Sequence, residues 1–321
     1  NRHEEVIQEV KEKIRLDEVA KVKTPESDWR LLAFSQRQIK DDAAYNNTLK
    51  ILLQNYPSKA VRLVVPYAPG GGLDVFNRPM SIKLAELMGQ SVVIENRAGA
   101  SGVIGADVVA KSAPDGHTLL SAFSSQILQP HVLKSVPFDN QRDFTPILEA
   151  ARAPIAIVVN PALPVQSMKE LMAYAKANPG KVGYVTAGSN TSQHLTGLML
   201  EKVTGAQLIH VSYKGGGPAL TDLLGGQVQM GILVLGPIMQ HVQSGKLRAL
   251  AQGGEKRSPV VPHLPTVAET YPGFQATTWY ALYAPRGTPP AVVTRLNTEL
   301  NAVLNDPEVR ERLNGMGITA A

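Results

Sequence analysis

The chain has 321 residues, enough for one large domain or two of ordinary size. Hydrophobic residues make up 44% and charged residues 18%, a balance that supports a buried core and excludes disorder by composition. There is no cysteine, which removes disulfides, thiol nucleophiles and thiolate metal sites, and the net charge of +5 is spread rather than clustered, so nucleic acid is not an expected partner.

Residues 1–55 differ in composition from the rest. They carry ten Lys or Arg and ten Asp or Glu but no glycine, although the chain has 27. Val6, Val10 and Ile14 recur at helical spacing, which predicts an amphipathic helix to about residue 23. Thr24-Pro25-Glu26-Ser27 reads as a break, and a second helix is expected over about 41–53. The segment is either an appended helical extension or a docking helix. Residue 1 is Asn and the first stretch is charged, so no secretory leader is legible. The longest apolar runs, 153–159 and 230–239, fall well short of the roughly 18 residues that span a bilayer, and direct membrane insertion is not expected.

From Tyr56 the pattern becomes regular. A β-branched strand at 61–65 meets a glycine turn, a helix follows over 75–88, and a second strand lies at 91–95. Strand, glycine turn, helix, strand is the mark of a βαβ unit with a parallel sheet. A helix at 105–111 and a strand at 118–122 ending in a polar loop, Ser124-Ser125-Gln126, come next. Strands at 154–159, 182–186, 207–211 and 228–234 alternate with helices at 168–177, 193–203 and 218–224. The tail holds a strand at 278–283 and helices at 289–304 and 307–313. The fold class is α/β.

Three turns suit an anion. Pro69-Gly70-Gly71-Gly72-Leu73-Asp74 joins a strand to a helix N-terminus, where free amides and the helix dipole favour negative charge. It lacks the Lys of a phosphate loop and the spaced glycines of a dinucleotide site, so it is either a generic anion turn or a tight turn capped by Asp74. Thr186 to His194 is a second strand-to-helix turn, rich in small hydroxyl and amide groups. No Gly-x-Ser-x-Gly elbow is present, so Ser189 lacks the strained setting of a hydrolase nucleophile. His194 is either a structural histidine or a general base. The third turn, Tyr213-Lys214-Gly215-Gly216-Gly217, leaves Lys214 as an anion partner or a solvated charge. The seven histidines are scattered, with no metal-ligand spacing.

Several stretches together carry a resemblance: Tyr56-Pro57-Ser58-Lys59, Pro69-Gly70-Gly71, Ile94-Glu95-Asn96-Arg97, Ala113-Pro114-Asp115-Gly116, Thr191-Ser192-Gln193-His194, Leu223-Leu224-Gly225-Gly226-Gln227-Val228 and Leu264-Pro265-Thr266-Val267-Ala268-Glu269. From about residue 56 to the end the chain resembles the Bug/TctC family, the periplasmic substrate-binding proteins of tripartite tricarboxylate transporters. The resemblance implies a type II periplasmic-binding-protein fold. One α/β lobe would span 56–157 with 278–321 and the other 158–277, joined by crossing strands near 155–160 and 275–284, with residues 1–55 as a helical extension. It implies a monomer in the periplasm, a small carboxylate ligand and membrane permease subunits as partners, with no cofactor and no metal.

The candidate ligand-binding set is Tyr67, Gly70, Gly71, Gly72, Leu73 and Asp74 at the first turn and Ser124 and Ser125 after the third strand. Ala187, Gly188, Ser189, Asn190, Thr191, Ser192 and His194 at the second turn, with Tyr213 and Leu233, complete it. No residue is assigned as catalytic. Leu73 stands where the family usually has a small hydroxyl residue, and Ile232-Leu233-Val234-Leu235 where it often has an acidic or amide one. Both make the cleft more apolar, so an amino acid is disfavoured. A mono- or dicarboxylate with an apolar or aromatic body is expected, with Phe123 and Trp279 as walls. The alternatives are a ligand sensor that presents the acid to a regulatory partner, and a hydrolase using Ser189 and His194.

Overall fold

The computed structural model describes residues 2–20, 24–41, 43–44, 47–48, 51 and 56–321. Strand β1 (Val61–Val65) lies parallel to both β2 (Val92–Asn96) and β3 (Thr118–Phe123). All six residues of β3 are buried, as expected of a strand covered on both faces. Strand β4 (Phe144–Val159) is the longest at 16 residues. Its first part pairs antiparallel with β9 (Thr277–Pro285), which in turn pairs with β3. Beyond Pro154 the same strand turns to different partners, β7 (Met230–Val234) and β8 (Arg248–Gln252). Strand β5 (Gly183–Thr186) runs parallel to β7 and to β6 (Ile209–Ser212), giving the order β2-β1-β3-β9-β4-β7-β5-β6. A short β10 (Thr319–Ala320) returns to β4.

Two cores follow from this path. Leu63, Phe76, Leu84, Tyr280 and Leu296 pack in the first, together with Ala150 and Ala151 of β4. Ile155 and Ile157 of the same strand pack in the second with Leu171, Tyr184, Ile232 and Phe274. The halves are also stitched where the second connection passes. Gly253 N donates to Ile155 O at 2.7 Å, and Ala276 N donates to Gly253 O at 2.6 Å.

Helices α1 (Arg2–Val19) and α2 (Glu26–Gln38) pack on each other, with Ile7, Val10 and Ile14 buried against Leu32. The helix expected over 41–53 falls largely outside the described residues. Of the break expected at 24–27, Thr24 and Pro25 lie outside any helix and Glu26 and Ser27 already begin α2. Pro25 precedes the first helical residue, where its missing N–H costs no hydrogen bond.

Helix α3 (Gly72–Met88) follows β1 and ends at Gly89, whose φ of 65° suits the left-handed cap. After α4 (Val103–Ala110), the segment expected as a polar loop after β3 begins α5 (Ser125–Val132), and only Ser124 stays outside. Helix α6 (Met168–Ala177) carries the expected Ser167 cap, which accepts from Glu170 N. Helices α7 (Ser192–Thr204), α8 (Gly216–Leu224), α9 (Leu235–Gln243), α10 (Pro290–Asn305) and α11 (Pro307–Gly315) complete the chain. Helix α9 and strand β8 have no counterpart in the sequence reading. The apolar run 230–239 passes from β7 directly into α9, whose first turn holds Gly236 and Pro237.

Candidate functional site

The first glycine turn leaves β1 and opens α3. Gly71 is extended at the cap position, and no side chain of the described residues caps the helix. Val75 N is the first amide to reach a turn acceptor, Gly71 O at 3.0 Å. The amides of Gly72, Leu73 and Asp74 therefore stay unpaired among the described residues, a ready seat for an anion.

Asp74 is 3% exposed and folds back onto the turn instead of capping α3. Its carboxylate accepts from Gly70 N at 3.0 Å, from Arg78 at 2.8 and 3.1 Å and from Asn96 Nδ2 at 3.2 Å. Burial opposes its ionisation, but Arg78, the Gly70 amide and Asn96 outweigh that and hold the carboxyl below its usual range. Its charge is spent inside the turn.

The second turn satisfies much of its own backbone. Ala187 N donates to Gln193 Oε1 at 2.8 Å, Asn190 N to His194 Nδ1 at 3.0 Å and His194 N to Thr191 Oγ1 at 3.3 Å. Thr191 is the cap of α7, so neither Ser189 nor Ser192 plays that part. The Ser192 and Gln193 amides stay unpaired among the described residues. Ser189 and His194 share no side-chain hydrogen bond there either, and the His194 nitrogen that could act as a base accepts a backbone N–H.

The third turn meets the first main chain to main chain. Ala68 N donates to Lys214 O at 3.0 Å. A Cβ on Gly217 would lie 2.0 Å from Pro69 O, and one on Gly215 2.7 Å from Ala68 N. On the other side Ser101 Oγ donates to Ser189 O at 2.6 Å. Ser101 is held from behind, since its carbonyl accepts from Tyr67 Oη at 3.0 Å and from Gln129 Nε2 at 2.8 Å. Burial pushes the Tyr67 phenol up to about 12, so it remains a donor.

These approaches enclose a cavity of about 10 Å³, room for roughly one water molecule. Of the expected residues, Tyr67, Gly71, Gly72, Leu73, Asp74, Ala187 and Leu233 line it. Phe123 joins Leu233 as an apolar wall. Trp279 does not; it sits on β9 opposite Arg152. Gly70, Gly188, Ser189, Asn190, Thr191, Ser192 and His194 shape the two turns from behind. Ser125 contacts the Tyr67 hydroxyl at 3.3 Å and Ser124 contacts Thr278 at 3.0 Å. Tyr213 is turned away, its hydroxyl on the Asp222 carboxylate, and burial with that carboxylate pushes its phenol up to about 12. Ala68, Gln193, Gly216, Val234 and Pro237 also line the cavity and were not expected there. Gln193 stands within the quoted second-turn stretch, where helix position alone does not reveal that its side chain reaches back to Ala187.

Behind the second turn His194 stacks on His210 with ring centroids 3.9 Å apart, and His210 Nε2 lies 2.7 Å from Thr186 Oγ1. Burial, and then the neighbouring His194, lower His210 to about 4. Burial also lowers His194, opposed by Glu201. Both rings are neutral in the fold and take up protons on unfolding. Their stabilising contribution is full above the ordinary 6.5 and is lost as pH falls from there towards 4. The urea midpoint is therefore expected to drop between pH 7 and 4.5, and to drop less in His210→Phe. Equal pH dependence of the two proteins would contradict this.

A family model described as the tripartite tricarboxylate transporter family receptor, TctC, matches residues 76–321. Protein BugT of Bordetella pertussis is 40% identical over 267 residues, 82% of each chain. A UPF0065 protein from the tcbD-tcbE intergenic region of Pseudomonas sp. strain P51 is 39% identical over 271 residues, 84% of this chain and 81% of that one. Among solved structures, periplasmic binding protein BugD superposes with a TM-score of 0.80 at 36% identity, covering 83% of this chain and 89% of its own. R. palustris Rpa4515 with adipate gives the same four values. MatC from Rhodopseudomonas palustris with bound malate gives 0.78 at 31% identity, covering 82% and 90%. The fold is that of these periplasmic binding proteins. The chain belongs to the TctC family of tripartite tricarboxylate transporter receptors.

Proposed function

We propose that this protein captures a small organic carboxylate between two α/β lobes and delivers it to the permease subunits of a tripartite transporter from the periplasm. The observation that carries the reading is the meeting of two helix N-termini at one cavity with apolar walls: α3, which no side chain of the described residues caps, and α7, where the Thr191 cap takes the His194 amide and leaves those of Ser192 and Gln193. Partial positive charge at both ends suits a carboxylate, and backbone donors allow release after capture. The adipate and malate held by two similar proteins support the same ligand class.

The lobes are 56–157 with 278–321, and 158–277, and they part about β4 and the 253–276 connection. With only about 10 Å³ inside, an acid enters when they open. Asp74 is occupied by Arg78, Asn96 and Gly70, so an ammonium group finds no free carboxylate beside it. Leu233, Val234 and Phe123 favour an apolar body. The full expected contact set, including the turn residues behind the cavity, remains the candidate set for the open-to-closed cycle.

A thermal-shift panel of aromatic and aliphatic mono-, di- and tricarboxylates, with amino acids included, tests this. At a hundredfold excess over Kd a ligand adds about 2.7 kcal/mol, which raises Tm by roughly 4 °C in a chain of this length. Stabilisation by carboxylates lacking an amino group is expected. Preference for aspartate or glutamate would refute the apolar-acid reading, and silence across the panel would refute carboxylate capture.

A further inference from the structure

Tyr280 is fully buried, and among the described residues its hydroxyl has no hydrogen-bond partner. Strand β9 places it beside Phe123 of β3, and the ring packs on Phe76 with centroids 4.6 Å apart and on Phe123 at 5.0 Å. These contacts fix the ring and so fix where the hydroxyl ends. It lies 3.4 Å from the point a Cβ on Gly72 would occupy. That same point is 3.1 Å from Phe123 Cζ and 2.2 Å from Val234 Cγ2. Gly72, Phe123 and Val234 all line the cavity, so the hydroxyl lies directly behind its wall, beside the first turn of α3.

An unpartnered buried hydroxyl costs free energy, and a well-packed core avoids it by placing phenylalanine there. Burial raises the Tyr280 phenol well above its ordinary value, so it is a neutral donor at any working pH. The glycine, valine and phenylalanine beside it offer no side-chain acceptor, so the partner is a water or a ligand admitted by the cavity these residues line.

We propose that Tyr280 is a ligand-binding residue whose hydroxyl donates a hydrogen bond to the carboxylate seated at the α3 N-terminus. This rests on the solute-capture reading and adds a side-chain donor to the backbone amides.

The test compares wild type with Tyr280→Phe by calorimetric titration with whichever panel acid binds the wild type. Loss of one hydrogen bond to a charged group is expected to weaken binding by about 10- to 100-fold. The unliganded Tm is expected to stay level or rise, because the variant removes an unpartnered polar group. A second readout is independent of how the variant folds: saturating acid is expected to shift the wild-type near-ultraviolet tyrosine band. Equal affinities, or a wild-type band that does not move, would overturn the role of Tyr280 and leave solute capture standing. A wild type that binds no acid in the panel would overturn both.

Discussion

Gly217→Ala is expected to weaken ligand binding by at least about 100-fold while leaving the unliganded Tm unchanged or slightly higher. The added methyl group meets Pro69 O at 2.0 Å and the Pro69 carbonyl carbon at 3.2 Å. Both are main-chain atoms, so no rotamer change relieves the clash. Gly217 does not have a positive φ, so alanine adopts its backbone without strain. In the open state of the proposed cycle the variant is a Gly-to-Ala change in the first turn of α8, worth up to about 1 kcal/mol in favour of the helix. The clash therefore exists only when the first and third turns meet. A change that destabilises one of two states by several kcal/mol moves the apparent affinity by the same amount. Calorimetric titration and a thermal melt of the same preparation check it. Wild-type affinity would show that ligand capture does not need this approach, and a collapsed Tm would show that the contact belongs to the fold itself.

Asp74→Ala is expected to lower Tm by roughly 3–5 °C and to reduce carboxylate affinity as well. Four hydrogen bonds converge on the Asp74 carboxylate, from a turn amide, a guanidinium and the Asn96 amide that also bonds Tyr67 O at 3.0 Å. Removing such a buried hub costs about 2–3 kcal/mol, and a chain of this length loses about 1.5 °C per kcal/mol. Arg78 is largely exposed and regains water, which keeps the loss below that of a fully buried pair. Affinity falls because Gly70 and the free amides after it are no longer held in place. An unchanged melting curve would show that the turn keeps its shape without the carboxylate.

The βαβ core was legible because its signals are local. Val61 to Val65 is β-branched, three glycines follow, and the helix ends at a glycine, so strand, turn and helix each announce themselves within a few residues. The two glycine turns could be recognised as strand-to-helix junctions for the same reason. What each turn does with its amides was not legible. It depends on side chains that double back, Gln193 onto Ala187 and His194 onto Asn190, and on Ser101, which reaches Ser189 from 88 residues away. That Val234 and Tyr280 both come up to Gly72 was not legible either, because strands far along the chain bring them there. Helix α2 was misplaced because a proline in a charged segment reads as a break, although it is compatible with the residue just before a helix.

The approach of Gly215 and Gly217 to Ala68 and Pro69 involves almost no side chains. Shape recognition between the halves is thus separated from chemical recognition of the cargo. On the proposed reading, substitutions at Leu73, Phe123 or Leu233 are expected to retune which acid is preferred without disturbing the surfaces that meet, so a lineage can change its diet while keeping its jaw.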